Sequence, residues 1–253
     1  MYMIYYDILL TTDKNHIIYT LCYNLILKNS KSCDNHFLLS IVKGVYVLAS
    51  SIVVLDFETT GLSPDQGDRA IEVGAVRLEN GIEVDKFQAL MNPGRRINSF
   101  IENYTGITNR MLAPAPSCEK VMADFADFIG DSNLLAHNAS FDGRFLEAEF
   151  SRINRDVIGE FSCSLLVSRR IYQEAPNHKL GTLIDYKNIA ADGSFHRALF
   201  DAQMTAKLWL TMLDDIRERY DIEEIPFSLI QRIAKAPKAQ VGKLLMNYQA
   251  KIS

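Results

Sequence analysis

The apolar run Ile52-Val53-Val54-Leu55 ends in Asp56-Phe57-Glu58, so two carboxylates stand one residue apart where a buried strand closes. Successive strand side chains point to opposite faces, which puts Asp56 and Glu58 on one face and Phe57 on the other. Two neighbouring carboxylates repel unless a cation or a shared proton intervenes, and Mg²⁺ is the natural hard cation for such oxygens. An isolated Asp-x-Glu is commonly a solvated strand end. Here the apolar run before it and two acidic segments after it favour a half-built metal site.

From Ser51 onward the elements are clearly punctuated. Ile52–Glu58 and Ala70–Leu78 read as strands, and Glu79-Asn80-Gly81 as a tight turn into a third, Val84–Met91. Pro114, Pro116 and Ser117 announce a helix whose stripe, Val121, Phe125, Phe128 and Ile129, has helical spacing. Asn133–Ala136 reads as a short strand, and Asn138 as the cap of a helix from about Phe141 to Ile153. An apolar segment, Phe161–Val167, follows. On a last long helix, about Ala198–Arg219, Asp201, Thr205, Leu208 and Met212 share one face. A meander followed by alternating helices and strands predicts an α/β fold, a mixed sheet flanked by helices.

Asp142 falls at a strand-to-helix turn, where α/β sheets expose their sites. Asp201 heads the core-facing stripe of its helix, so a third and a fourth acid sit where a carboxylate needs a compensating charge. His196, five residues earlier, is about 140 degrees around the helix from Asp201 and must lie in the loop before it. There it can reach a site as a general base without being a ligand.

Composition sets limits. The chain of 253 residues is 48% hydrophobic with a formal net charge of -4, so a nucleic acid would bind by local contacts rather than bulk charge. Four scattered cysteines without a Cys-x-x-Cys pair argue against zinc and disulfides and for a reducing cytoplasm. No basic n-region or small-residue cleavage site opens the sequence. Lys43 interrupts the apolar stretch Phe37–Leu55, whose far end is the carboxylate strand, and no membrane association is expected. Residues 1–48 have no clear period and form an N-terminal extension of unknown role: added strands, an arm, or a reading frame extended upstream of the natural start. The expected domain boundaries are 1–48, 49–215 and 216–253.

These residues strongly resemble the DEDDh family of 3′–5′ exonucleases, the group containing polymerase proofreading subunits and ribonuclease T, over about Ser51–Leu213. The matching segments are Asp56-Phe57-Glu58-Thr59-Thr60-Gly61, His137-Asn138-Ala139-Ser140-Phe141-Asp142 and His196-Arg197-Ala198-Leu199-Phe200-Asp201-Ala202, with Gly106-Ile107-Thr108 and Pro116 between the first two. The resemblance implies a ribonuclease-H-like mixed five-stranded sheet. It implies that Asp56, Glu58, Asp142 and Asp201 hold two divalent ions, Mg²⁺ or Mn²⁺, with Asp56 bridging them. Two such ions activate a water and stabilise the departing 3′ oxygen. His196 would take the proton from that water, and an imidazole of ordinary pKa about 6.5 suits the task. Thr59, Thr60 and Leu62 would seat the terminal nucleotide, Thr60 at the 3′ hydroxyl and Leu62 against the base, and Phe141 either stacks on a base or belongs to the core.

The implied activity is metal-dependent release of nucleoside 5′-monophosphates from single-stranded or frayed DNA 3′ ends, of proofreading or repair type, with a polymerase or repair complex as partner. The alternatives are an RNA-trimming 3′–5′ exoribonuclease of the same family and a polymerase-associated binding or regulatory module. His137 reads as structural, and His178 and Lys179 as solvated loop residues. Arg144, Arg169, Arg170, Lys179 and Arg197 are candidates for a phosphate-tracking rim. Beyond Asp221, basic residues interleave with apolar ones as one or two amphipathic helices that pack on the domain, grip a strand or dock on a partner.

Overall fold

A computed structural model of the chain describes residues 51–191, 193 and 195–252. The expectations for residues 1–48, and for most of the apolar stretch Phe37–Leu55, lie outside these residues.

Strand β1, Ile52–Thr59, is the centre of the sheet. It pairs antiparallel with β2, Ala70–Glu79, which pairs antiparallel with β3, Ile82–Leu90. On its other side it pairs parallel with β4, Asn133–Ala136, and β4 pairs parallel with β5, Phe161–Cys163. The order is β3-β2-β1-β4-β5, the expected mixed five-stranded sheet. Asn80 and Gly81, both at positive φ, form the two-residue turn whose twist suits a hairpin. The third strand consequently begins at Ile82, two residues earlier than its apolar pattern indicates.

Side-chain alternation along β1 divides the core in two. Val53, Leu55 and Phe57 face α3, Cys118–Ile129, and α4, Ala139–Arg152, where Phe125, Phe145 and Phe150 are buried. Ile52 and Val54 face α7, Ala198–Tyr220, with Leu208, Trp209 and Met212. Asp56 and Glu58 continue that second series, so they point toward α7. Between β3 and α3 lie α1, Ser99–Thr105, and α2, Asn109–Leu112. After β5 come α5, Ser164–Ile171, and α6, Leu180–Tyr186. Thus the apolar segment Phe161–Val167 splits into a three-residue strand and the start of a helix.

Helix α4 starts at Ala139, before the expected Phe141. Asn138 occupies the cap position with φ 78 and ψ 46 and makes no side-chain cap hydrogen bond. An N-cap accepts through its side chain from extended backbone, whereas left-handed backbone here turns the chain sharply from β4 into α4. The C-terminal helices α8, Phe227–Lys235, and α9, Val241–Ile252, bury Leu229, Ile230, Ile233, Val241 and Leu245 in the same core as Trp209 and Ile216. Residues 216–252 therefore share a core with the sheet. No helix among the described residues is long and apolar enough to cross a membrane.

Candidate active site

The end of β1 and the first turn of α7 bring three acids together. Asp56, Glu58 and Asp201 each offer an oxygen within 4.8 Å of the others. Asp142, 2% exposed, enters from the first turn of α4 and accepts a 3.1 Å hydrogen bond from the Phe57 N–H through Oδ1. It lies close enough to Asp56 to raise that residue's pKa but is outside the close group of three.

All four acids are held on the protonated side of ordinary carboxylates. Burial, then repulsion from Asp142 and Asp201, raises Asp56 well above its usual value. Burial and the Asp201 charge push Glu58 up to about 8. Burial pushes Asp142 up to about 7 against the opposing pull of the Phe57 N–H. For Asp201 burial raises the pKa to about 6, opposed by the His196 N–H that donates to Oδ2 at 2.9 Å. Burial is the cause all four share, and like charges add to it at Asp56, Glu58 and Asp201.

His196 lies in the loop before α7, at φ 71, with its ring exposed beside the acids and tilted against Tyr104 at a centroid distance of 4.2 Å. Asp56, Tyr104, Asn138, Arg169, Lys179 and His196 are among the residues lining one open cleft of about 1010 Å³. His137, read from the sequence as structural, is bonded internally. Its Nδ1 meets the Ser164 hydroxyl and its Nε2 the His178 carbonyl, each at 2.9 Å, and burial lowers its pKa to about 4. The ring is neutral and donates from Nε2, because a carbonyl can only accept.

The residues expected to seat a nucleotide divide. Leu62 is 77% exposed beyond the end of β1 and free to meet a ligand. Phe141 is half-buried against Phe145 at 5.0 Å. The Thr59 hydroxyl donates to the Gly61 carbonyl at 2.6 Å. The Thr60 hydroxyl donates to Asp68 and accepts from the Arg69 N–H and from Arg95, which fills its capacity and ties it to the Gly61–Arg69 loop. Of the expected basic rim, Arg169 and Lys179 line the cleft. Arg170 donates to the Ala236 carbonyl, and Arg197 is engaged by an acid that the sequence reading passed over.

That acid is Glu72, wholly buried on β2 directly across from Glu58. Arg197 grips it with Nε at 3.1 Å and a terminal nitrogen at 2.7 Å, and the Ala198 N–H and Gln88 donate to the same carboxylate. Glu72 thus fixes the residues between His196 and Asp201. In the sequence it is a single polar position inside an apolar strand, with a partner 125 residues away.

The donor set suits a hard divalent cation. Asp201 Oδ1 is buried without a hydrogen-bond partner among the described residues, and it belongs to an all-oxygen cluster of three acids. A buried unpaired carboxylate oxygen is costly unless a cation neutralises it.

A family model described as Exonuclease, RNase_T, matches residues 53–209, which include every acid above and His196. Over 173 residues the chain is 41% identical to the DNA polymerase III PolC-type of Bacillus subtilis (strain 168), a match covering 66% of this chain and 12% of the polymerase. It spans 12–14% of the length of the first curated relatives it matches. Exonuclease X in complex with 5′ overhanging duplex DNA aligns at a TM-score of 0.57 and 24% identity, over 72% of this chain and 99% of that one. The nuclease domain of 3′hExo, described as a DEDDh family member bound to rAMP, aligns at 0.56 and 22% identity, over 66% and 92%. These two likenesses show a shared fold.

Proposed function

The chain belongs to the DEDDh-type 3′–5′ exonuclease family, and from that premise we propose that it trims single-stranded or frayed DNA 3′ ends as a proofreading or repair nuclease, releasing nucleoside 5′-monophosphates. The observation that carries this reading is the convergence of Asp56, Glu58 and Asp201, with Asp56, Asp201 and His196 lining one open cleft. The similarity to a polymerase supports DNA over RNA, and it supports a polymerase or repair complex in the cytoplasm as the setting.

In this reading Asp56, Glu58 and Asp201 hold divalent metal, with Asp142 completing the set from behind Asp56. Mg²⁺ is the proposed ion and Mn²⁺ its substitute. Bound there, such ions supply a charge-neutralised phosphorus and an acidified attacking water. The chain's own groups do the rest. His196, exposed at the cleft and steadied by Tyr104, accepts the proton of the attacking water. The His196 N–H bond to Asp201 keeps that imidazole in register with the carboxylates. Lys179 and Arg169 draw phosphates into the cleft, and Leu62 presses on the terminal base.

The deciding experiment is a time course on matched DNA and RNA oligomers labelled at either end, with EDTA, Mg²⁺ or Mn²⁺. Mononucleotides released from the 3′ end, faster from DNA and only with metal, are expected. Faster release from RNA would assign the chain to the RNA-trimming alternative. Stable, unhydrolysed binding of both would make it a regulatory module.

A further inference from the structure

A second groove lies beside the catalytic cleft and is not used by the chemistry above. It runs along the edge strand β5 between α4 and α8, has a volume of about 660 Å³, and is lined by Ser140, Arg144, Ser162 and Lys235 among others. Asn138 lines the catalytic cleft while Ala139 and Ser140 line the groove, and Leu165 and Leu166 divide in the same way. The two cavities are therefore neighbours.

Four observations point to an anion in this groove. Ser162 is 4% exposed, and its hydroxyl is buried with no hydrogen-bond partner among the described residues. Phe161 packs toward α3 and α4, so alternation along β5 turns Ser162 toward α8. A hydroxyl buried this way is destabilising unless something accepts from it. Arg144 is braced by an Nε bond to the Ser140 carbonyl, and its terminal nitrogens have no partner among the described residues. Lys235 has no ion-pair partner among the described residues. It is the last residue of α8, and the segment just after it is pinned by Arg170 to the Ala236 carbonyl and Gln173 to the Lys238 carbonyl. The positive end of the 14-residue helix α4 opens at the same place, without a side-chain cap.

Charge along the chain agrees. After Glu224 come five basic residues, Arg232, Lys235, Lys238, Lys243 and Lys251, and no acidic one, in a chain of net charge -4. This stretch lies beyond the exonuclease match, which ends at residue 209. Glu147 is the one acid lining the groove among the described residues.

We propose that the groove is a second phosphate-binding subsite, holding one backbone phosphate of the polynucleotide strand outside the catalytic centre. Arg144 and Lys235 supply the charge and the Ser162 hydroxyl donates. The inference rests on the nuclease reading, and it gives the C-terminal helices a role in substrate affinity.

The test measures binding, in EDTA so that nothing is hydrolysed, of a long single-stranded oligomer and of a dinucleotide. The Arg144→Ala/Lys235→Ala protein is expected to lower the long-to-short affinity ratio about tenfold. It is also expected to reduce the slope of log affinity against log salt by about 0.7, the signature of one lost phosphate contact on a single strand. Glu147→Gln should tighten the long oligomer. Ser162→Ala should weaken it two- to threefold while raising the melting temperature, a pair of opposite signs that a purely structural hydroxyl would not give. An unchanged ratio and slope in the double variant would overturn the subsite. So would loss of binding to an acidic peptide with oligomer binding intact, which would assign the groove to a protein partner. Hydrolysis of a p-nitrophenyl ester of thymidine 5′-monophosphate with Mn²⁺ reports the catalytic centre alone. Normal turnover of that ester, together with an unchanged long-to-short affinity ratio in the groove variants, would sink this proposal and leave the nuclease reading standing.

Discussion

Glu58 and Glu72 face each other across two paired strands, yet their surroundings give them different chemistry. Glu58 shares its space with Asp56 and Asp201 and is left protonatable up to about 8. Glu72 is saturated by Arg197, Gln88 and the Ala198 N–H, and has nothing left to offer an ion. Alanine at Asp56, Glu58 or Asp201 should therefore cost about a thousandfold or more in turnover and abolish tight Mn²⁺ binding by calorimetry, with the fold retained. Near-normal turnover in any one variant would remove that residue from the metal set. Glu72→Gln should act otherwise. It keeps an acceptor for Ala198 but loses the charged fork, so turnover should fall about tenfold and stability by about 1–3 kcal/mol while Mn²⁺ still binds. Loss of the metal would show instead that Glu72 is part of the ion site. The acids of the site were legible in the sequence because each interrupts an apolar pattern at an element boundary. Glu72 interrupts one too, but only packing shows who answers its charge, and the engagement of the Thr60 hydroxyl by Asp68 and Arg95 was hidden for the same reason.

At the scale of elements, the placement of α7 decides whether the site exists. Its first turn rests directly on β2, where a side-chain carbon on Gly74 would overlap the backbone of Ala198 and Leu199. Because backbone cannot yield as a flexible side chain does, Gly74→Ala should move α7, with a cost of about 2–3 kcal/mol in denaturant unfolding and a matching loss of turnover. A variant as stable and active as wild type would show that the first turn of α7 can slide without harm. The long strands and α7 could be read from periodicity, since their apolar spacing is sustained for many residues. Helices α1 and α2 could not, being seven and four residues long. Their signal lay in caps: Asn98 accepts from the Ile101 N–H, Thr108 from the Met111 N–H, and Gly106 supplies the left-handed stop between them. For the C-terminal segment the amphipathic pattern gave the helices but not their partner. Because α8 and α9 bury Ile230, Ile233 and Leu245 against Trp209 and Ile216, ending the chain at Asp221 should expose core and lower the melting temperature markedly. An unaltered melting curve would make them an appendage.

For the whole molecule, the acids couple stability to pH and to metal. In the metal-free protein Asp56 is raised, and Glu58, Asp142 and Asp201 titrate at about 8, 7 and 6, all above their unfolded values. A carboxyl whose folded pKa is raised binds more protons folded than unfolded, so its stabilising effect is complete below the unfolded pKa and is lost as pH rises through the folded one. The chain in EDTA should accordingly melt on the order of 5 °C lower at about pH 8.5 than near pH 5.5, most of the decline falling where these three groups ionise. Other carboxylates oppose this: Asp68 and Glu119 are lowered by their hydrogen bonds and by arginine, but their contribution is already complete in this window. Saturating Mg²⁺ should raise the melting temperature far more at the higher pH, because protons no longer compete for the oxygens that would hold it. Differential scanning calorimetry across that range, with and without metal, reads both effects together. The Glu58→Gln protein should show a flatter metal-free profile and a smaller rise with Mg²⁺, since it removes the group titrating highest among the three. A metal-free melting temperature that climbs with pH would mean the four carboxyls are ionised and satisfied by the protein itself, and the case for an ion between them would fail.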